Sequence, residues 1–103
     1  MREAQRLLDQ YTQAVRFPRS SGFEVLELLD VRSRLAAQEQ RLDPDQRARL
    51  EEADSFFLRH ADAFYESVAS LGELSILRSR AAAPCSHWWW YLEKLAQRAL
   101  VKA

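Results

Sequence analysis

Two pairs of carboxylates are spaced so that they could bind a metal ion. Glu24 and Glu27 lie three residues apart in the segment EVLE, and Glu51 and Asp54 repeat this spacing in EEAD. Residues three apart on a helix point to the same side, so each pair would present its oxygens together. Oxygens of this kind are the ligands that Mg²⁺ prefers. The spacing therefore predicts two candidate magnesium-binding pairs, each on its own helix.

The two pairs resemble the ExxE and ExxD motifs of the MazG-like all-α nucleotide pyrophosphohydrolases. The resemblance covers EVLE and EEAD, and it implies that the four carboxylates hold magnesium for attack on a nucleotide triphosphate. The family has a further acidic residue directly before the first pair, where this chain has Phe23. In a simple hairpin of the second and third helices the pairs would be offset by about 9 Å. The same register places Asp54 level with Arg32 and predicts an ion pair between the two helices.

Three tryptophans and a tyrosine, residues 88–91, follow one another in SHWWWYLEKL. Pro84 interrupts the chain before them, Ser86 can cap a helix, and the segment from His87 onward predicts a last helix. Successive residues of an α-helix point about 100° apart, so three neighbouring indoles cannot all face the core. At least one of the four aromatic side chains should point away from it.

The apolar residues that follow the aromatic run fix its buried direction. Leu92 and its apolar successors place Trp90 on the polar side, with Lys94. We therefore expect Trp90 to be exposed, with Trp89 and Tyr91 at the rim of an apolar patch. Exposed tryptophan and tyrosine side chains are typical of binding surfaces.

The sequence thus predicts a partner-binding surface that consists of Trp89, Trp90, Tyr91 and Lys94. Two other interpretations stay open. The indoles could fill the core, with Trp90 against the segment after Gly72, or His87 and Cys85 could be axial ligands of a haem. We expect no cofactor, because lone histidines and cysteines are usually packed or solvated.

Composition indicates which fold must position these residues. A chain of 103 residues is one domain of ordinary size, here 1–103, and two glycines and three prolines leave little material for hairpin turns. Abundant alanine, leucine, arginine and glutamate favour helix. The prediction is an all-α fold, an antiparallel helical bundle of four main helices with a fifth short one possible.

Capping residues and apolar spacing predict the helices. The first should run from Arg2 to Arg16, and the second should begin near Gly22, with Ser21 as its cap. The sequence LDPDQ predicts a third helix from Pro44, whose apolar spacing extends to Leu71, about 40 Å. For the segment after Gly72 we favour a short helix with Leu74 and Leu77 inward over an extended piece with Leu74 and Ile76 inward.

Charge and targeting signals bound the functional classes. Fifteen basic and fifteen acidic residues are interleaved, so no broad field would attract nucleic acid or a membrane. The chain has one cysteine and begins without the apolar run of a secretory signal. We expect a cytoplasmic, non-catalytic protein-binding or assembly module, which could self-associate as a homodimer. The alternative is a magnesium-dependent nucleotide pyrophosphohydrolase.

Overall fold

The computed structural model describes residues 2–17 and 21–95, and the protein is an all-α helical bundle. Five α-helices lie wholly within this part of the chain: α1 (Arg2–Ala14), α2 (Gly22–Gln38), α3 (Pro44–Arg59), α4 (Ala61–Ala69) and α5 (Leu74–Arg80). Residues 92–95 are also α-helical. Two short 3₁₀-helices follow α2 and α5, at Glu39–Arg41 and Trp88–Trp90. We call Trp88–Trp90 the tryptophan turn. None of the described helices is long and apolar enough to cross a membrane.

The predicted starts of α2 and α3 are confirmed by their capping hydrogen bonds. The Ser21 hydroxyl accepts a bond from the backbone N–H of Glu24 at 3.2 Å, at the start of α2. At the start of α3 the Asp43 carboxylate accepts from the backbone N–H of Gln46 at 2.8 Å, and the Gln46 side chain accepts in return from the Asp43 N–H at 3.0 Å. These caps satisfy amides that have no partner within the helix.

The first three helices pass up, down and up. The side-chain contacts between α1 and α3 advance along both helices together, which shows that the two run in the same direction. They join Gln5 to Gln46, Asp9 to Arg49 and Tyr11 to Asp54. The helix between them, α2, packs on α1 and also on α4. It is therefore the central helix.

The predicted single helix from Pro44 to Leu71 is wrong, because it divides at His60. His60 has φ −113° and ψ 21°, and its backbone N–H bonds to the carbonyl of Phe57. The apolar spacing continues through the break, since Phe57 and Phe64 are both fully buried and stack at 5.0 Å. The apolar spacing in the sequence therefore does not reveal the interruption. The break at His60 allows α3 to pack on α1 while α4 packs on α2.

The start of α2 touches the end of α4 at a glycine. A β-carbon at Gly22 would lie 2.6 Å from the carbonyl oxygen of Ser67 and 2.7 Å from Cγ of Leu71. Because one of these atoms belongs to backbone, the clash cannot be relieved by a side-chain rotation alone. This contact requires glycine at the first turn of α2.

We predict that Gly22→Ala lowers the free energy of unfolding by about 1–3 kcal/mol, the usual cost of overpacking. Helix propensity acts in the opposite direction, since alanine is favoured over glycine in a helix interior by about 1 kcal/mol. Urea unfolding followed by circular dichroism measures the difference. A variant as stable as the unmodified protein would contradict the close contact between α2 and α4.

The segment after Gly72 is helical, as favoured. In α5, Leu74 is buried and Leu77 half-buried, whereas Ile76 is 51% exposed. The predicted last helix is wrong where it begins, because residues 88–90 form a 3₁₀-turn, Tyr91 is not helical, and α-helical residues occur only at 92–95. The rest of that prediction, 96–103, lies outside the described residues.

Candidate functional site

The expectation that Trp90 is exposed is wrong. Trp90 retains 4% of its surface and Trp89 retains 3%, while Trp88 is half-buried with its ring 5.8 Å from that of Phe57. The argument fails because residues 88–90 form a single 3₁₀-turn and Tyr91 is not helical, so no continuous α-helix relates the direction of Trp90 to that of Leu92. Both Trp89 and Trp90 pack against α2, where their side chains reach the same residue, Ser33.

The two buried indoles meet at one hydroxyl group. The Nε1–H groups of Trp89 and Trp90 both donate to Oγ of Ser33, each at 3.0 Å. Nδ1 of His87 lies at 3.0 Å from the same oxygen. Ser33, in the second half of α2, thereby joins the tryptophan turn and the residue before it to the central helix.

The hydrogen-bond capacity of Ser33 fixes the protonation state of His87. A serine hydroxyl has one proton to donate and two lone pairs to accept with, and an indole N–H can only donate. With both lone pairs used, the hydroxyl proton must point at Nδ1 of His87. The imidazole is therefore neutral and carries its proton on Nε2. Burial and the positive charge of Arg32 lower the pKa of His87, and Glu39 partly opposes this effect.

Next to Ser33 on α2, Arg32 is a buried cation. Its Nε and Nη2 bond to the two carboxylate oxygens of Asp54 at 2.9 and 3.0 Å, and Nη2 also bonds to Glu39 at 3.2 Å. The hydroxyl of Tyr11 donates to Asp54 at 2.6 Å. The ion pair predicted from the helix register is confirmed, and the structure adds Tyr11 and Glu39 to it.

Aromatic rings surround the remaining part of the guanidinium. Its carbon lies 4.3 Å from the ring centroid of Trp89, and near 5.9 Å from those of Trp88 and Tyr11. Among the described residues Nη1 is buried without a hydrogen-bond partner, and attraction between the cation and the ring faces accounts for its tolerance there. Burial lowers the pKa of Arg32, but the Asp54 carboxylate offsets this and the pKa is raised overall. Burial and the same carboxylate raise the pKa of Tyr11.

The pairing of Ser33 with His87 does not have the form of a catalytic dyad. A serine nucleophile needs a free lone pair to attack with, and a base that removes its proton. Here the two indoles occupy both lone pairs of Ser33. The geometry makes Ser33 a structural joint.

The structure does not bring the four predicted carboxylates together. Asp54 is bound by Arg32, Glu24 accepts from the hydroxyl of Ser21, and Glu27 accepts from Gln10 of α1. Glu51 is exposed on α3. Across 2–17 and 21–95, no group of three or more acidic, histidine or cysteine side chains could hold a metal ion.

The outer side of the aromatic segment forms a shallow groove, which we call the Trp88 groove. Its lining residues are Cys85, Trp88, Tyr91, Lys94 and Leu95. Of the predicted binding residues, it therefore includes Tyr91 and Lys94 but neither of the buried tryptophans.

Arg78 of α5 supports the wall of the Trp88 groove. Its guanidinium carbon lies 4.1 Å from the ring centroid of Tyr91, and Nη1 bonds to Glu93 and to the carbonyl of Trp90, both at 3.0 Å. Lys94 places its ammonium 5.4 Å from the same ring. Tyr91 thus lies near two basic side chains, and one of them, Arg78, is paired with Glu93.

Sequence reasoning missed Ser33 and the groove contribution of Trp88 and Cys85. No local signal could have identified Ser33, because its partners lie 54 to 57 residues further along the chain. Compared with protein families, curated proteins and solved structures, the chain matches none.

Proposed function

We propose that this protein is a non-catalytic binding module that docks a segment of a partner protein in the Trp88 groove. The observation that carries the proposal is a groove with half-buried Trp88, Tyr91 and Leu95 in its walls and Lys94 at its edge. Tryptophan and tyrosine are the residues that most often dominate the energy of protein interfaces.

The buried tryptophans contribute to the proposal as supports. Trp89 and Trp90 are hydrogen-bonded to Ser33, so their neighbours Trp88 and Tyr91 are held in place before a partner binds. A surface that is already ordered loses less conformational entropy on binding. The predicted site is thereby revised: Tyr91 and Lys94 contact the partner, whereas Trp89 and Trp90 hold the surface.

The chemistry of the groove defines its occupant. Arg78 has its charge balanced by Glu93, which leaves Lys94 as the charge that a partner would meet at the edge. Beside it the walls are aromatic and aliphatic. The fitting partner segment has a large apolar side chain with an aspartate or glutamate next to it.

A random peptide library displayed on phage supplies a probe of this chemistry. We predict that selection against the purified protein enriches peptides with an aromatic or aliphatic residue beside an acidic one. Tyr91→Ala should weaken the selected peptides by roughly tenfold or more, because the loss of an aromatic hot spot costs about 2 kcal/mol. Fluorescence anisotropy of a labelled peptide measures the change.

The matched control is Phe23→Ala, which removes an aromatic side chain that is 73% exposed on α2. It should leave peptide affinity unchanged. Peptides that bind Tyr91→Ala as tightly as the unmodified protein would refute the groove as the site. Molecular mass over a range of concentrations provides the second test, since a dimer abolished by Tyr91→Ala would mean that a second copy, not another protein, occupies the groove.

A further inference from the structure

We propose that Ser33, His87, Trp89 and Trp90 form a pH-sensitive latch, in which protonation of His87 releases the tryptophan turn from α2. The side chains of His87, Trp89 and Trp90 all contact one oxygen, Oγ of Ser33, each at 3.0 Å. The latch needs no ligand, so it does not depend on the proposed binding function.

The first step is a count of protons around that oxygen. In the closed latch Oγ accepts from two indoles and donates to Nδ1 of His87, which uses its full capacity. A proton on Nδ1 turns the imidazole into a third donor facing an oxygen with no lone pair left. One of the three N–H groups must then move away, and the shared bond is lost.

The second step is the balance of charges around His87. Arg32 of α2 disfavours an imidazolium, while Glu39, in the 3₁₀-helix after α2, favours it. Glu39 is itself bonded to Arg32 and is 45% exposed, so its effect is the smaller one. Arg32 is in turn hydrogen-bonded to Asp54 of α3, which also accepts a hydrogen bond from Tyr11 of α1.

The third step concerns the ring on which His87 stacks. The imidazole lies 4.5 Å from the Trp89 ring, and the Arg32 guanidinium carbon lies 4.3 Å from the same ring. An imidazolium would gain some attraction to the indole. It would also be a second cation beside a ring that already has one, and this repulsion opposes the gain.

The direction of the pH dependence follows from these contacts. The closed state requires neutral His87, and the pKa of His87 is lowered from its ordinary 6.5. The stabilising contribution of the latch is therefore fully present above pH 6.5, and it is lost as the pH falls from that value through the lower pKa of His87 in the closed state. Released, the turn would no longer hold Trp88 and Tyr91 in place, so the Trp88 groove would lose its shape. This last consequence alone rests on the proposed function.

Tryptophan emission tests the latch directly. Between about pH 7.5 and about pH 5, where carboxylates remain largely ionised, emission should shift to longer wavelength as the indoles leave Ser33. His87→Asn should abolish the shift, because the asparagine oxygen can accept the Ser33 proton but does not titrate. His60→Asn, which replaces the other histidine of the chain, should leave the shift intact. Circular dichroism at each pH establishes that the helices persist.

Two results would overturn the latch. One is an emission maximum that does not move over this pH range, or that moves equally in His87→Asn. The other comes from nitrogen NMR of the unmodified protein at pH 7.5, which should show His87 protonated on Nε2; a proton on Nδ1 would refute the assignment without any variant. Peptide binding that is independent of pH while the emission shifts would refute the expected loss of groove shape and leave the latch standing.

Discussion

Replacing Asp54 by alanine is expected to lower the free energy of unfolding by about 3–5 kcal/mol, the cost of leaving a buried charge without its partner. Arg32 retains only 4% of its side-chain surface and donates two of its hydrogen bonds to Asp54. After the substitution Glu39, which is 45% exposed, would be the remaining acidic partner within 2–17 and 21–95. The Tyr11 hydroxyl would also lose its acceptor. Urea unfolding at neutral pH measures the loss.

The exposed pair of Asp30 and Arg34 on α2 offers the matched control. The two side chains are in contact at 3.1 Å but more than half exposed, so Asp30→Ala should cost less than about 0.5 kcal/mol. If Asp54→Ala proved equally mild, Arg32 would have to be solvated, against the burial described above.

A double variant separates the charge from the packing. Arg32→Met combined with Asp54→Leu, in a Tyr11→Phe background that lacks the hydroxyl bonded to Asp54, removes both ions together and fills the space with apolar side chains. We expect it to recover most of the stability that Asp54→Ala loses, because a buried ion pair is often replaced by apolar residues at little cost. Failure to recover would show that the aromatic rings around Arg32 require a cation.

The parts of the fold that the sequence predicts are those fixed by local chemistry. The capping box of Asp43 and Gln46 lies within four residues, and so does the bond from Glu24 to Ser21. Such signals are complete within one turn of helix. The pairing of Asp54 with Arg32 was also predictable, because a tight connection between two helices fixes their register.

The tryptophan turn could not be predicted in the same way. Its conformation is set by what Trp89 and Trp90 bond to, and their acceptor is a serine in the middle of a distant helix. A serine at that position is ordinarily solvated. Without knowledge of this acceptor, α-helical geometry predicts an α-helix with one indole pointing outward. The break at His60 escaped prediction for a related reason, since the residues on both sides keep their apolar spacing.

Ser33→Ala tests whether this distant bond holds the aromatic segment. The substitution leaves the N–H groups of two buried indoles without an acceptor. Each unsatisfied donor costs about 1–3 kcal/mol, so we expect a combined loss of about 2–6 kcal/mol in the free energy of unfolding. Helix propensity would by itself favour alanine, so a loss cannot come from α2. Ser55→Ala, at an exposed position of α3, should show no loss under the same urea titration.

The pH dependence of the stability lost in Ser33→Ala tests whether the hydrogen bonds to Ser33 are those that the latch releases. At neutral pH the Ser33 hydroxyl is bonded on all sides, and its removal should cost the full amount. If the latch opens as the pH falls below 6.5, the unmodified protein loses the same bonds, so the two proteins should approach each other in stability. A Ser33→Ala loss that stays constant from about pH 7.5 to about pH 5 would mean that protonation of His87 leaves the indoles in place. In that case Ser33 would be a fixed structural joint, because release by protonation requires that its bonds be present at one pH and absent at the other.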